Sequence, residues 1–276
     1  MTPETFDDVE AWAEGYVRAS SLAGKLAPPA PPTAFRAPRP APRPELRPTR
    51  PGLEVAAKAP KKPKRGALGD PRARGRLLHG FLHHELQAAE LMCWAVLAYP
   101  ETPEPFRRGL VEIALDEVRH AQLYAAHMER LGVRFGAIPV RDWFWERMVA
   151  CATPLQFVAA MGLGFEGGNL EHTRRYAGWF REVGDEEGAA IQERIGREEI
   201  AHVRFAARWF ATWKGALDFD AWVEELPPPL SPMVLRGKPL DRAARAAAGL
   251  DEAFLDALKA WSPAPRFDAE ADRAGR

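Results

Sequence analysis

The chain has 276 residues, and its 38 lysines and arginines are balanced by 38 aspartates and glutamates, which excludes a strongly basic or acidic protein overall. Its two cysteines, Cys93 and Cys151, lie in apolar surroundings, which excludes a disulfide-rich secreted scaffold. The chain shows no secretory signal pattern and no apolar run long enough to span a membrane, so we expect a soluble, cytoplasmic protein.

Two segments precede the long helical patterns. Residues 1–23 are expected to form an amphipathic helix capped by Thr2, because apolar residues recur at helical spacing from Phe6 to Leu22. Residues 24–69 are rich in proline, arginine and lysine, which excludes helix and sheet and predicts a semi-extended linker with most of the surplus positive charge. Two interpretations stay open for this linker, a solvated tether and a basic arm that binds nucleic acid or another polyanion.

Four long helical patterns occupy residues 70–213. They are expected to run from about Asp70 to Tyr99, from Pro103 to Leu131, from Thr153 to Glu182, and from Asp185 to Trp213. A short aromatic helix capped by Asp142 is expected between the second and the third. Two tight hairpins joined by a longer crossover predict an all-α four-helix bundle with N- and C-terminal helical extensions. Residues 214–276 form that C-terminal extension, with one or two short helices and a polar tail.

Two Glu-x-x-His motifs lie inside these patterns, Glu117 with His120 in the second helix and Glu199 with His202 in the fourth. A glutamate and a histidine three residues apart project from the same face of a helix. Burying such a pair is costly unless something compensates it. In di-metal bundles two helices supply Glu-x-x-His and the other two supply one glutamate each. The sequence therefore predicts a pair of divalent ions within the bundle.

The first helix offers Glu85 and Glu90 as the additional ligand. Glu85 is 14 residues before Tyr99, and Glu117 is 14 residues after Pro103, so these two glutamates lie level in an antiparallel hairpin. Glu90 would lie about 7 Å nearer the turn, since an α-helix rises 1.5 Å per residue. We therefore expect Glu85 to be the ligand. Glu90 is interpreted either as a buried acid behind the ligands or as the partner of a cation on the first helix.

The third helix offers Glu166 and Glu171. Glu166 shares an apolar stripe with Leu163 and Leu170, whereas Glu171 falls with Arg174 on a face that is expected to be more solvated. We therefore expect Glu166 to be the ligand from this helix.

The complete predicted ligand set is Glu85, Glu117, His120, Glu166, Glu199 and His202. Carboxylate and imidazole donors fit iron or manganese, and Glu117 and Glu199 are expected to bridge the two ions. Asp116 and Glu198 are expected to accept the free ring N–H of the histidine on the opposite helix. Tyr99 and Tyr124 are interpreted as packing residues rather than as redox-active neighbours of the metals.

Several motifs carry a family resemblance over about residues 75–258, and they are His83–Leu91, Asp116–His120, Phe165–Leu170, Arg197–Val203 and Gly237–Asp241. They resemble the ferritin-like superfamily, and more closely a bacterial ferritin-like family catalogued as domain of unknown function 455. The motifs of the first two bundle helices are also similar to those of the tRNA-modifying di-iron hydroxylases. These resemblances imply two iron ions, with manganese or a mixed iron–manganese pair as the alternative, and they carry over the same six ligands.

The expected function is that of an O₂-dependent oxidoreductase, a hydroxylase of an unidentified organic substrate. The alternatives are a non-catalytic iron-binding protein and a scaffold that keeps its metals for stability. A cavity that opens to solvent beside the metals favours the oxidoreductase, and a sealed, filled core favours the scaffold. The expected partner is a small-molecule or tRNA-like substrate, with nucleic acid bound through the basic linker and no membrane. The sequence leaves open whether the chains form a homo-oligomer.

Overall fold

The computed structural model describes residues 6–50, 52–58 and 60–263. Within these ranges the chain is helical, and its one strand-like feature is an isolated bridge between Val55 and Val140. This confirms the expected all-α class. The same ranges contain no helix that is both long enough and apolar enough for a membrane span. The expected cap at Thr2 and the tail from residue 264 onward lie outside the described residues.

The described part of the chain contains long bundle helices and short helices at both ends. In chain order they are α1 (Val9–Arg18), α2 (Leu22–Leu26), α3 (Pro71–Ala98), α4 (Glu104–Arg130), α5 (Trp143–Met148), α6 (Pro154–Phe157), α7 (Gly167–Glu182), α8 (Glu186–Lys214), α9 (Phe219–Glu224), α10 (Pro232–Leu235), α11 (Arg242–Ala247) and α12 (Glu252–Ala260). A π-helix, Val158–Glu166, joins α6 to α7 without a break, and Arg65–Ala67 form a single 3-10 turn.

The ends of the long helices follow from local sequence signals. Asp70 accepts a hydrogen bond of 2.9 Å from the backbone N–H of Arg72, and Pro71 occupies the first helical position of α3. Asp185 accepts a bond of 2.9 Å from the backbone N–H of Gly188 in the same way at the start of α8. Gly215 ends α8 with a positive φ of 92°, a conformation that glycine adopts without steric cost.

The long helices pair into two hairpins. Residues 99–103 join α3 to α4, residues 183–185 join α7 to α8, and each pair packs along its length. Such short connections make the paired helices antiparallel. Contacts between α4 and α8 unite the hairpins into one bundle, and residues 131–153, which include α5, cross between them. The helical-bundle class is thus confirmed, while the relationship to the ferritin-like superfamily stays a prediction.

The third long helix differs from the regular α-helix expected for it. Its stretch Val158–Glu166 is π-helical, a wider winding that is often found at functional sites. Gly162 lies so close to α8 that a side-chain carbon added there would clash with Ala206. Helical periodicity in the sequence does not distinguish this winding from a regular α-helix over so short a stretch.

The Pro-rich segment is held on the surface of the bundle. Leu46 is only 5% exposed and belongs to the main hydrophobic core. The guanidinium of Arg50 pairs with Glu90 of α3 at 2.5 Å, and the backbone N–H of Ala56 donates to the carbonyl of Val140 at 2.8 Å. The described part of this segment is therefore anchored to the bundle at these positions, while most of its residues are exposed.

Candidate metal centre

The six predicted ligands lie together inside the bundle. None of them is more than 6% exposed. One comes from α3, two from α4, one from the end of the π-helix and two from α8, and they are Glu85, Glu117, His120, Glu166, Glu199 and His202.

Their donor atoms form two groups, and within each group all donor atoms lie within 4.8 Å of one another. The first group is Glu85, Glu117, His120 and Glu199, and the second is Glu117, Glu166, Glu199 and His202. The groups share Glu117 and Glu199, the two residues that were expected to bridge. Buried carboxylates and histidines in this arrangement could hold two neighbouring metal ions, although ligation itself stays a prediction.

The ring of His202 shows how the imidazoles are oriented. Its Nδ1 lies 3.0 Å from Oε1 of Glu117 and 3.0 Å from Oε2 of Glu199. One ring nitrogen carries at most one hydrogen, so these two contacts cannot both be ordinary hydrogen bonds. Its Nε2 lies 3.2 Å from Oδ2 of Asp116 on α4. The Nδ1 atom therefore faces the carboxylate cluster, and Asp116, which lies outside the cluster, contacts the Nε2 atom.

His120 has the same orientation. Its Nδ1 lies 3.3 Å from Oε2 of Glu117, and its Nε2 lies 2.9 Å from Oε2 of Glu198 on α8. Asp116 and Glu198 thus occupy the positions that were expected for acceptors on the opposite helix. A histidine that binds metal through one nitrogen usually donates its other N–H to such a carboxylate. That the two acids orient metal-bound rings stays a prediction.

The electrostatics of the cluster suit a cation pair. Burial, together with Glu117 and Glu199, raises the pKa of Glu85 well above its usual value. Burial and then Glu199 raise the pKa of Glu166 in the same way, and Oε1 of Glu166 is buried with no hydrogen-bond partner. Burial lowers the pKa of His120, but the carboxylates of Glu117 and Glu199 together outweigh it and raise the pKa to about 9. Divalent ions would replace these competing protons and satisfy the unpartnered oxygen, so the donor set fits a di-metal pair.

Asn169 belongs to the site and was missed as a functional candidate. Its amide Nδ2 donates to Oε1 of Glu199 at 2.9 Å, which fixes one of the shared carboxylates. The sequence feature that could have identified Asn169 is its position three residues after Glu166, on the same helix face. Tyr124 accepts a hydrogen bond of 3.0 Å from Gln192 and lines a cavity together with Glu85 and Glu166, so its packing role stays a prediction.

The expectation that Glu171 lies on a solvated face is wrong, because this residue is only 2% exposed. Its carboxylate accepts hydrogen bonds from Nε of Arg245 at 2.7 Å, from the backbone N–H of Gly237 at 3.1 Å and from that of Asp241 at 3.0 Å. The C-terminal extension covers this face of α7, which explains the burial. Glu171 is fully engaged there and is not among the clustered donors.

Two further expectations need correction. Glu90 is the partner of cations, but these are Lys25 of α2 at 2.8 Å and Arg50 of the Pro-rich segment rather than residues of the first helix. Asp142 does not cap α5 with its side chain. It accepts instead from Nε of Arg50 at 2.8 Å and contacts Nε2 of His83 at 3.1 Å. Both differences arise because the Pro-rich segment folds back onto the bundle.

A cavity of about 480 Å³ adjoins the cluster. Glu85 and Glu166 line it on the side of the proposed metals, and the exposed residues Lys62 and His172 line it as well. The carboxylate cluster is therefore connected to solvent through a space of the size that small-molecule ligands occupy.

Comparison with known proteins gives one family. A family model described as protein of unknown function (DUF455) matches residues 8–256, which include all six clustered residues and the Pro-rich segment. No curated protein and no solved structure matches the chain. The match confirms the family that the motifs indicated. It does not identify a metal or a substrate.

Proposed function

We propose that this chain, which belongs to the DUF455 family, is a di-iron protein that uses dioxygen to oxidise an organic substrate. The observation that carries the proposal is the pair of donor groups sharing Glu117 and Glu199 beside a cavity that reaches solvent. Iron is favoured over manganese by the resemblance to di-iron hydroxylases, because the donor atoms alone suit both metals.

The cavity supports an oxidoreductase over a metal-stabilised scaffold. A scaffold has no need of open space at its metals, whereas an oxidase must admit both oxygen and substrate. When bound, the iron pair would supply the electron-transfer chemistry that activates O₂, with an external reductant providing the remaining electrons. The chain itself would hold the ions, orient His120 and His202 through Glu198 and Asp116, and exclude bulk water from the buried side of the cluster.

The test is oxygen consumption by the iron-loaded protein. Protein loaded with ferrous iron without air is mixed with oxygenated buffer, while the visible spectrum and the dissolved oxygen are recorded. We expect a new visible absorption and oxygen uptake in proportion to bound iron. Protein loaded with zinc is the matched control, since zinc has no redox chemistry. Stoichiometric iron binding without any oxygen uptake would contradict the proposal and favour a non-catalytic iron-binding protein.

A narrower version of the proposal takes a tRNA-like substrate, held partly by the basic segment. Deleting the whole segment is a poor test, because it removes Lys25 and Arg50, which pair with the buried Glu90. Glutamine substitution of the exposed Lys61 and Lys64 leaves those pairs in place. If nucleic acid is the partner, this double variant binds tRNA more weakly and with a shallower salt dependence. Unchanged affinity would remove the reason for this version.

A further inference from the structure

The wall of the cavity beside the cluster is built largely from aromatic rings. The rings of Phe144 and Phe165 stack with their centroids 4.6 Å apart, and those of Phe81 and Tyr176 meet edge to face at 4.7 Å. Trp143 packs edge to face on Phe165 at 5.6 Å. All five rings line the cavity. Such walls favour a flat apolar body, which gains both buried area and ring-to-ring contact.

Three cations line the same cavity, and they are Lys62, Arg141 and Arg175. Lys62 and Arg175 form no ion pair within the described ranges, and the nearest acid to Arg141 is Glu146 at 3.8 Å. Nε of Arg175 is buried with no hydrogen-bond partner. Its Nη1 donates to the carbonyl of Lys238 at 3.3 Å, so the guanidinium keeps donor capacity for a further acceptor at Nε.

The balance of charge in the cavity also favours an anionic ligand. Among the described residues, the carboxylates that line it are Glu85 and Glu166, and both belong to the cluster of four carboxylates. Two divalent ions would balance those four negative charges. Positive charge then remains in surplus around an aromatic-walled space, because Lys62 and Arg175 have no ion pair in the described ranges and Arg141 is offset only by the exposed Glu146 at 3.8 Å. Such a surplus favours an anion.

From this juxtaposition we infer that the cavity binds a small molecule with a flat aromatic body and one anionic group, a carboxylate or a phosphate. The body lies between the rings, and the anion is held by Lys62, Arg141 and Arg175. The inference rests on the proposed function, because it takes this cavity as the substrate site of the proposed oxidation. Its recognition chemistry does not depend on which metal is present.

Binding of three matched probes by calorimetry tests the inference. The probes are 2-naphthoate, 2-naphthyl phosphate and the neutral 2-naphthamide, titrated into purified protein whose metal content is measured in each sample. A charge-assisted hydrogen bond contributes about 1.5–3 kcal/mol, so we expect at least one anionic probe to bind about 10-fold more tightly than the amide. Preference for the carboxylate or for the phosphate identifies the anionic group.

Substitutions of the three cations test whether these residues hold the anionic group. Glutamine at Lys62, Arg141 and Arg175 together is expected to reduce the affinity for the anionic probe about 10-fold and to leave the amide nearly unchanged. The single variant Lys62→Gln, at an exposed residue, gives a smaller loss in the same direction should the triple variant fail to fold. Arg208→Gln removes one charge from an exposed position of α8 outside the cavity and serves as the matched control.

Absence of binding, equal affinity for the anions and the amide, or anion binding that these variants leave intact would overturn the inference. The metal analysis keeps it separate from the proposed function. If the protein selects the anionic probes but fails to hold metal, the proposed function is contradicted and this inference stands. If the protein holds metal but does not select the anionic probes, this inference is contradicted and the proposed function stands.

Discussion

Replacing Glu90 with glutamine tests whether the Pro-rich segment is a structural part of the bundle. The Glu90 carboxylate is fully buried and pairs with Lys25 at 2.8 Å and with Arg50 at 2.5 Å. The side chains of these two cations are only 2% and 8% exposed. The substitution keeps the size of the side chain but leaves two buried cations without this carboxylate.

The size of the expected loss of stability depends on the hydrogen-bond and ion-pair partners that Lys25 and Arg50 keep. Removing one member of a buried ion pair costs about 3–5 kcal/mol. Lys25 keeps hydrogen bonds of 2.8 Å to the carbonyls of Tyr16 and Val17, and Arg50 keeps Asp142 at 2.8 Å. We therefore expect the lower end of that range, about 3 kcal/mol less free energy of unfolding. The assay is urea unfolding followed by circular dichroism, with equal metal content in every sample.

The chain offers a matched control for this substitution. Arg65 pairs with Glu182 between the same segment and the bundle, but the two side chains are 61% and 48% exposed. Glu182→Gln should therefore cost less than about 1 kcal/mol. Early proteolysis within the Pro-rich segment is expected for Glu90→Gln and not for the control. A loss of stability in Glu90→Gln no larger than in Glu182→Gln would refute the reasoning.

Three further predictions concern the site and its surroundings. Asp116→Asn should weaken metal binding about 10- to 100-fold in a chelator competition, because it disturbs the orientation of a ligand histidine, and unchanged affinity would contradict that role. Gly162→Ala should destabilise the protein in urea by about 1–3 kcal/mol through a steric clash with α8. Gly178→Ala in α7, with open space around it, should instead stabilise by up to about 1 kcal/mol, and equal effects would contradict the packing argument. Metal affinity should fall as pH falls, because the raised pKa values of Glu85 and Glu166 keep protons that the ions must displace, and metal uptake without proton release would contradict this.

The predicted ligands could be chosen from the sequence because their positions depend on local geometry. The choice of Glu85 over Glu90 needed only the helical rise and the short turn of one hairpin. Three-residue spacing placed each histidine beside its glutamate in the same way. These positions depend only on residues that are close in the sequence, so they can be predicted without knowing the rest of the fold.

The errors arose where a distant segment covers a helix. Glu171 looked solvated because its partner Arg245 lies 74 residues further along the chain. Glu90 likewise depends on Arg50, which is 40 residues away on a segment whose composition indicated a free linker. Periodicity describes the faces of one helix, but it does not tell which other segment will bury each face.

Metal content of the purified protein tests the central claim most directly. Elemental analysis should find two metal ions per chain, in agreement with the two donor groups that share Glu117 and Glu199. Glu117→Ala, which removes a shared ligand, and His202→Ala, which removes a terminal one, should each abolish stoichiometric iron binding. Two irons per chain in the double variant would contradict the account.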